Sequence, residues 1–162
     1  MKKPRNKKYT PRESRDPTQI FGGMSGDHAA HLQRLNCRNH AAMAAMATGA
    51  GTRAHWDLLV GAINMANVMC EQGIGNEFRQ ATIAGRDAMC SSGKRAVTTG
   101  RFAFSGDELQ VMNEALACHD AQLENVRAID VERAAEEVMR RIRHGANTTS
   151  VQEEMSREAA AA

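Results

Sequence analysis

Aromatic residues are scarce in this chain, and their scarcity argues against a fold built from β-strands. Phe, Tyr and Trp together make up 4% of the 162 residues, whereas ten residues are methionine. Strands favour aromatic and β-branched side chains, while Met and Ala are good helix formers. The composition therefore predicts an all-α fold.

Long apolar runs are also missing. A membrane-spanning helix needs about 20 consecutive, predominantly apolar residues. The most apolar stretch, residues 58–70, has thirteen residues and includes Asn64 and Asn67. The basic start of the chain is not followed by the apolar segment that a secretory signal requires. We therefore expect a cytoplasmic protein that makes no contact with a membrane.

One short segment contains the residue types that bind zinc. His28, His31, Cys37 and His40 form the pattern H-x2-H-x5-C-x2-H. On one continuous helix, however, the first two side chains point to the side opposite the last two. A zinc site would require a break inside that helix, so we interpret the four as scattered surface and core residues and expect no metal.

The common catalytic motifs are absent as well, including the nucleophile elbow, the zinc-protease helix and the dinucleotide loop. His119 precedes Asp120, and His55 lies close to Asp57. Successive helical positions point about 100° apart, so neither pair forms an oriented dyad by itself. We expect His119 to be a hydrogen-bonded histidine of the interior or of an interface, and the protein to be non-enzymatic, with no cofactor.

Positive charge is concentrated at the start of the chain. Residues 1–16 carry a net charge of +5, while the whole chain has +2. All three prolines lie within residues 1–17, and few apolar residues are available there, so residues 1–24 are predicted to form a disordered basic arm. Its cations suit nucleic acid or an acidic partner; they are Lys2, Lys3, Arg5, Lys7, Lys8, Arg12 and Arg15.

A helical pattern begins at Ser25 or Asp27. Apolar spacing and helix caps predict a first helix to about residue 48, a second from Thr52 to about residue 71, and a third over residues 78–96. The second helix is apolar on two sides, which indicates a central position with Trp56 as its core anchor. The third carries small residues on its buried face, which allows a neighbour to approach closely.

The fourth predicted helix is the longest. Ser105 and Glu108 form a capping box, and residues 107–144 contain neither Gly nor Pro. The sequence thus predicts a four-helix bundle over residues 25–145 with a long C-terminal helix, followed by a frayed tail over residues 146–162.

This predicted helix is longer than the other three helices and would extend beyond them. The part of the helix beyond the bundle is mostly charged but would expose three apolar residues, Val131, Val138 and Ile142. A second copy of the chain could bury them. The sequence therefore predicts a homodimer that associates through these three residues. In a monomer, the helix would instead break near Asp130 and fold back on its own bundle.

Residues 1–11, 62–75 and 99–109 together resemble small accessory proteins, of no assigned activity, that temperate phages and prophages of proteobacteria encode. The resemblance implies a phage protein that acts in the bacterial cytoplasm, where inhibition of a host or defence factor is a common role. It supplies no catalytic residues.

Two functional hypotheses follow. The first is a non-enzymatic phage accessory protein that binds a host or defence protein. The alternative is a nucleic-acid-binding protein that uses the basic arm. Because the cations of the arm would suit an acidic protein as well as a phosphate backbone, the sequence leaves both open.

Overall fold

The structure is a computed structural model, and it describes residues 28–145. The predicted basic arm over residues 1–24 and the predicted tail over residues 146–162 lie outside this part of the chain. Within the described residues there are five α-helices, one short 3-10 helix and no strand, so the all-α prediction is confirmed. The helices are α1 His28–Thr48, α2 Arg53–Glu71, α3 Arg79–Thr99, α4 Gly106–Glu124 and α5 Ala128–Arg143, and the 3-10 turn is Asn76–Phe78.

Helix α2 is the centre of the bundle and packs against the other four helices. It begins at Thr52, whose side chain accepts a hydrogen bond from the backbone N–H of His55. Trp56 is 1% exposed, and its Nε1–H lies 3.2 Å from both the Met89 carbonyl and the Ser92 hydroxyl. Trp56 is therefore a core anchor of the central helix, as the sequence predicted.

Helices α3 and α4 approach each other closely at Gly85. A Cβ built on Gly85 would lie 2.6 Å from the Cβ of Ala115, so any larger residue would force the helices apart. This contact confirms the expectation that small residues on α3 admit a close neighbour. None of the helices among residues 28–145 is long and apolar enough to cross a membrane.

The prediction of one long C-terminal helix is wrong. The chain leaves the helical conformation at residues 125–127 and returns as α5, which packs against α2. Folding back lets the apolar stripe of α5 cover Met65, Val68 and Met69 of α2. A straight rod would leave both apolar surfaces in water, and this cost outweighs the few helical hydrogen bonds lost at the break.

The homodimer was predicted because a long helix would expose apolar residues, and the structure has no such helix. Val131 and Val138 are 1% and 4% exposed within a single chain, whereas Ile142 is 48% exposed. The two valines are already buried against α2 and need no second copy to cover them. Of the three predicted self-association residues, only Ile142 lies on the surface.

Val138→Glu should therefore unfold the chain rather than separate two copies of it. The substitution would place an unpaired carboxylate in the second core cluster, at a cost on the order of 3 kcal/mol in the free energy of unfolding. This cluster consists of Leu35, Met65, Val68, Met69, Leu123, Val131, Ala134, Ala135 and Val138. Ile142→Glu, on the same helix but exposed, should change that free energy by less than about 0.5 kcal/mol. Urea denaturation measures both changes. The structure would be contradicted if light scattering showed that the wild-type chain is a dimer and that the Val138→Glu variant is a folded monomer.

Candidate functional site

The first half of α1 and the end of α4 enclose a groove with a volume of about 510 Å³. We call it the α1–α4 groove. Its apolar floor contains Leu32, Leu123 and Val126, all of which contact the second core cluster. Polar side chains form its rim, and the complete lining is His28, Ala29, Leu32, Gln33, Asn36, Cys37, His40, Leu123, Glu124 and Val126.

One end of the groove carries a hydrogen-bonded pair of side chains. Nε2 of His40 lies 2.6 Å from Oδ2 of Asp120, which joins α1 to α4. The His40 side chain is 55% exposed and that of Asp120 is 22% exposed. No local pattern in the sequence indicates this pair, because its members are 80 residues apart. It fixes the distance between the two walls of the groove.

Several buried polar atoms beside the groove lack a hydrogen-bond partner among the described residues. They are both ring nitrogens of His28, Oδ1 of Asn36 and Oδ1 of Asp120. In folded proteins the great majority of buried polar atoms are paired, because an unpaired one costs about 1–3 kcal/mol. Four of the seven such atoms in residues 28–145 lie beside this groove.

The candidate zinc ligands divide between two sides of α1, but not as the sequence predicted, because His28 lies on the side of Cys37 and His40 rather than opposite them. His28, Cys37 and His40 line the groove, whereas His31 is 7% exposed and lies on another face. Helix α1 is unbroken from His28 to Thr48, so the break that a zinc site would require is not present. Within residues 28–145 no three His, Cys, Asp or Glu side chains are placed to hold a metal ion.

The groove also lacks an assembled nucleophile. Cys37 is exposed on the same wall as His40, but no hydrogen bond joins its thiol to the imidazole within the described part of the chain. A thiol is activated for attack by a base in hydrogen-bond contact. His40 and Asp120 form a polar bridge between α1 and α4.

A buried polar cluster positions the α4 wall of the groove. The side-chain amide of Gln122 donates to the carbonyls of Ala66 and Ile74, at 3.2 and 2.8 Å, and contacts the thiol of Cys70 at 3.1 Å. Its Oε1 lies 3.4 Å from Nδ1 of His119. These contacts connect the end of α4 to α2 and to the turn that follows α2. They therefore fix the position of the last turn of α4, which forms one wall of the groove.

His119 is an interior histidine, one of the two settings that the sequence predicted for it. It is 1% exposed, and burial lowers the pKa of its imidazole from the ordinary value of 6.5. The pKa of His31 is lowered as well, by burial first and then by the charge of nearby Arg34. Both rings are thus neutral in the folded chain at neutral pH.

The outer side of α1 is basic. Arg34 and Arg38 are both exposed, lie one helical turn apart, and form no ion pair within residues 28–145. Helix α1 contains no Asp or Glu. The cations that the sequence singled out, Lys2, Lys3, Arg5, Lys7, Lys8, Arg12 and Arg15, lie outside the described residues.

Comparisons with family models, with curated proteins and with solved structures found no match to this chain.

The two buried histidines make stability depend on pH. In the unfolded chain they titrate near 6.5, whereas their folded pKa values are lower. As the pH falls below 6.5, the unfolded state takes up protons that the folded state does not, so the free energy of unfolding decreases. Each histidine contributes up to about 1.4 kcal/mol per pH unit between 6.5 and its folded pKa.

Urea denaturation at pH 7.5 and at pH 5.5 should measure this loss. His119→Gln should reduce the difference between the two pH values, whatever its effect at pH 7.5, while His144→Gln at an exposed position serves as the control. An unchanged pH difference in His119→Gln would show that the buried imidazole is not the source.

Proposed function

We propose that this chain is a non-enzymatic accessory protein that binds another protein through the α1–α4 groove. The sequence resemblance implies a setting in the cytoplasm of a phage-infected bacterium, with a host or defence protein as the proposed target. The observation that supports binding is the groove itself, in which an apolar floor is bordered by buried polar atoms that have no partner within residues 28–145.

The dimensions of the groove favour a segment of a protein over a small molecule. Its α1 wall extends from His28 to His40, which is about 18 Å along the helix axis. A little over three turns of a partner helix cover such a length, with apolar side chains at every third or fourth position. Leu32, Leu123 and Val126 would accept those side chains.

The charges on the α4 wall define the partner further. Glu124 is exposed on the groove, Asp120 borders it, and both lie in the last turn and a half of α4, where the helix dipole adds negative potential. A partner segment with an Arg or Lys beside its apolar residues would complement this wall. We therefore propose an amphipathic, basic helix as the bound element.

The experiment compares groove variants with a matched control on the same helix. Ala29→Arg and Gln33→Arg introduce a long cationic side chain at exposed positions in the groove, and Ala41→Arg introduces the same side chain at an exposed position outside it. In pull-downs from nuclease-treated bacterial lysate, each groove variant should capture at least tenfold less partner protein than the wild-type chain. The Ala41→Arg variant should capture the wild-type amount. A photo-crosslinker at Gln33 should label that same protein.

Two results would contradict this proposal. Capture that is equal for the groove variants and the control would place the contact elsewhere on the surface. Capture that disappears on nuclease treatment of the wild-type sample would favour the alternative function, nucleic-acid binding through the basic arm.

A further inference from the structure

Helix α1 has a charge pattern that its own stability does not explain. Its only formally charged residues are Arg34 and Arg38, with His28 and His31 in the first turn and no carboxylate anywhere. Like charges four residues apart on a helix repel each other. This repulsion destabilises the helix by a few tenths of a kcal/mol.

Of the ten other arginines in residues 28–145, seven form ion pairs, and the three that form none, Arg79, Arg101 and Arg143, lie apart from one another on separate elements, so that Arg34 and Arg38 are the unpaired arginines that share a helical face. Arg53 pairs with Asp57, Arg127 with Asp130, and Arg140 with Glu137. Arg141 bridges Glu71 and Glu137. Residues 28–145 contain thirteen Arg and Lys and thirteen Asp and Glu, so enough carboxylates are present to pair every cation, yet none pairs with Arg34 or Arg38.

The two guanidinium groups share one side of α1. Leu35 and Asn39 face the core and Asn36 faces the groove, so Arg34 and Arg38 occupy the remaining, outward side. They are separated by about 6 Å along the axis, a length over which duplex DNA presents about three to four phosphates. The basic residues 1–16 precede this helix in the chain.

From this pattern we infer that the outward side of α1 binds the phosphate backbone of nucleic acid through Arg34 and Arg38. The site supplies point contacts to phosphates and no reading of base sequence. It is distinct from the α1–α4 groove, which lies on another side of the helix, and it stands whether or not the groove binds a protein.

A nucleic acid fits this surface better than a membrane does. Helices that lie on a membrane need large apolar side chains next to their cations. Among residues 28–145 the exposed large apolar residues are Ile129 and Ile142, and both are on α5. The positions that flank the two arginines on the outward side are Ala30, Ala41 and Ala45, which have nothing to insert into lipid.

Salt dependence of binding by the full chain tests the site. Fluorescence anisotropy with a labelled 20-base-pair duplex gives the affinity between 50 and 200 mM salt. Each phosphate contact adds about 0.9 to the slope of log affinity against log salt, so Arg34→Ala with Arg38→Ala should lower the slope by about 2. The drop in affinity across this salt range should then be about tenfold smaller than for the wild-type chain.

Two further double variants serve as controls. Arg34→Lys with Arg38→Lys keeps the charges and should keep the slope, since lysine also binds phosphate as a point charge. Arg53→Ala with Arg86→Ala removes the same net charge from exposed, ion-paired positions and should leave the slope within about 0.5 of the wild-type value. Circular dichroism checks that all variants are folded.

The inference is overturned if the alanine double variant keeps the wild-type slope, or if both alanine double variants lower it equally. It is also overturned if polyglutamate or anionic lipid vesicles, at matched negative charge, displace the duplex more effectively than unlabelled duplex does. These results do not depend on protein capture by the groove, so the two proposals can fail separately.

Discussion

The fold depends on covering α2 from every direction. This helix has apolar residues on more than one side, and its buried positions extend from Trp56 to Cys70. A helix of this kind is stable only when neighbours remove all of that surface from water. Helices α1, α3 and α4 cover its first half around Trp56, and α5 returns to cover its second half around Val68. The order of the helices in space follows from this single requirement.

Local signals predicted most of the helices, and a long-range requirement explains the one that was wrong. Thr52 and Ser105 cap α2 and α4 as the sequence indicated, because a capping box is complete within four residues. Residues 125–127, where the helix breaks, contain no Gly or Pro from which the break could be predicted. It forms because α2 needs a cover over its second half, and that surface is about 60 residues away along the chain.

The same distinction applies to the candidate site. Sequence spacing correctly separated His31 from Cys37 and His40, because positions on one helix can be placed by rotation. It wrongly set His28 opposite them, since the groove is wide enough for its wall to include His28 as well. It could not find the contact between His40 and Asp120, since that contact depends on how α1 and α4 pack. Similarly, His119 was recognised as a histidine of the interior or of an interface, but its connection through Gln122 to the turn after α2 depends on tertiary packing.

Helix α1 leaves more of its polar groups without partners than any other helix of the described chain. Elsewhere most arginines form ion pairs, and the buried amides of Asn67 and Gln122 are hydrogen-bonded to backbone carbonyls. On α1, His28 and Asn36 leave buried atoms unpaired on one side, and Arg34 and Arg38 leave charge unpaired on another. In a chain whose local choices otherwise agree with its fold, such departures mark the positions where stability has been given up for another purpose. Because both sets of unpaired groups lie on one helix and face different directions, a protein in the groove and a phosphate backbone on the outward side could occupy α1 at the same time, and binding of either one would satisfy groups that the isolated chain leaves without partners.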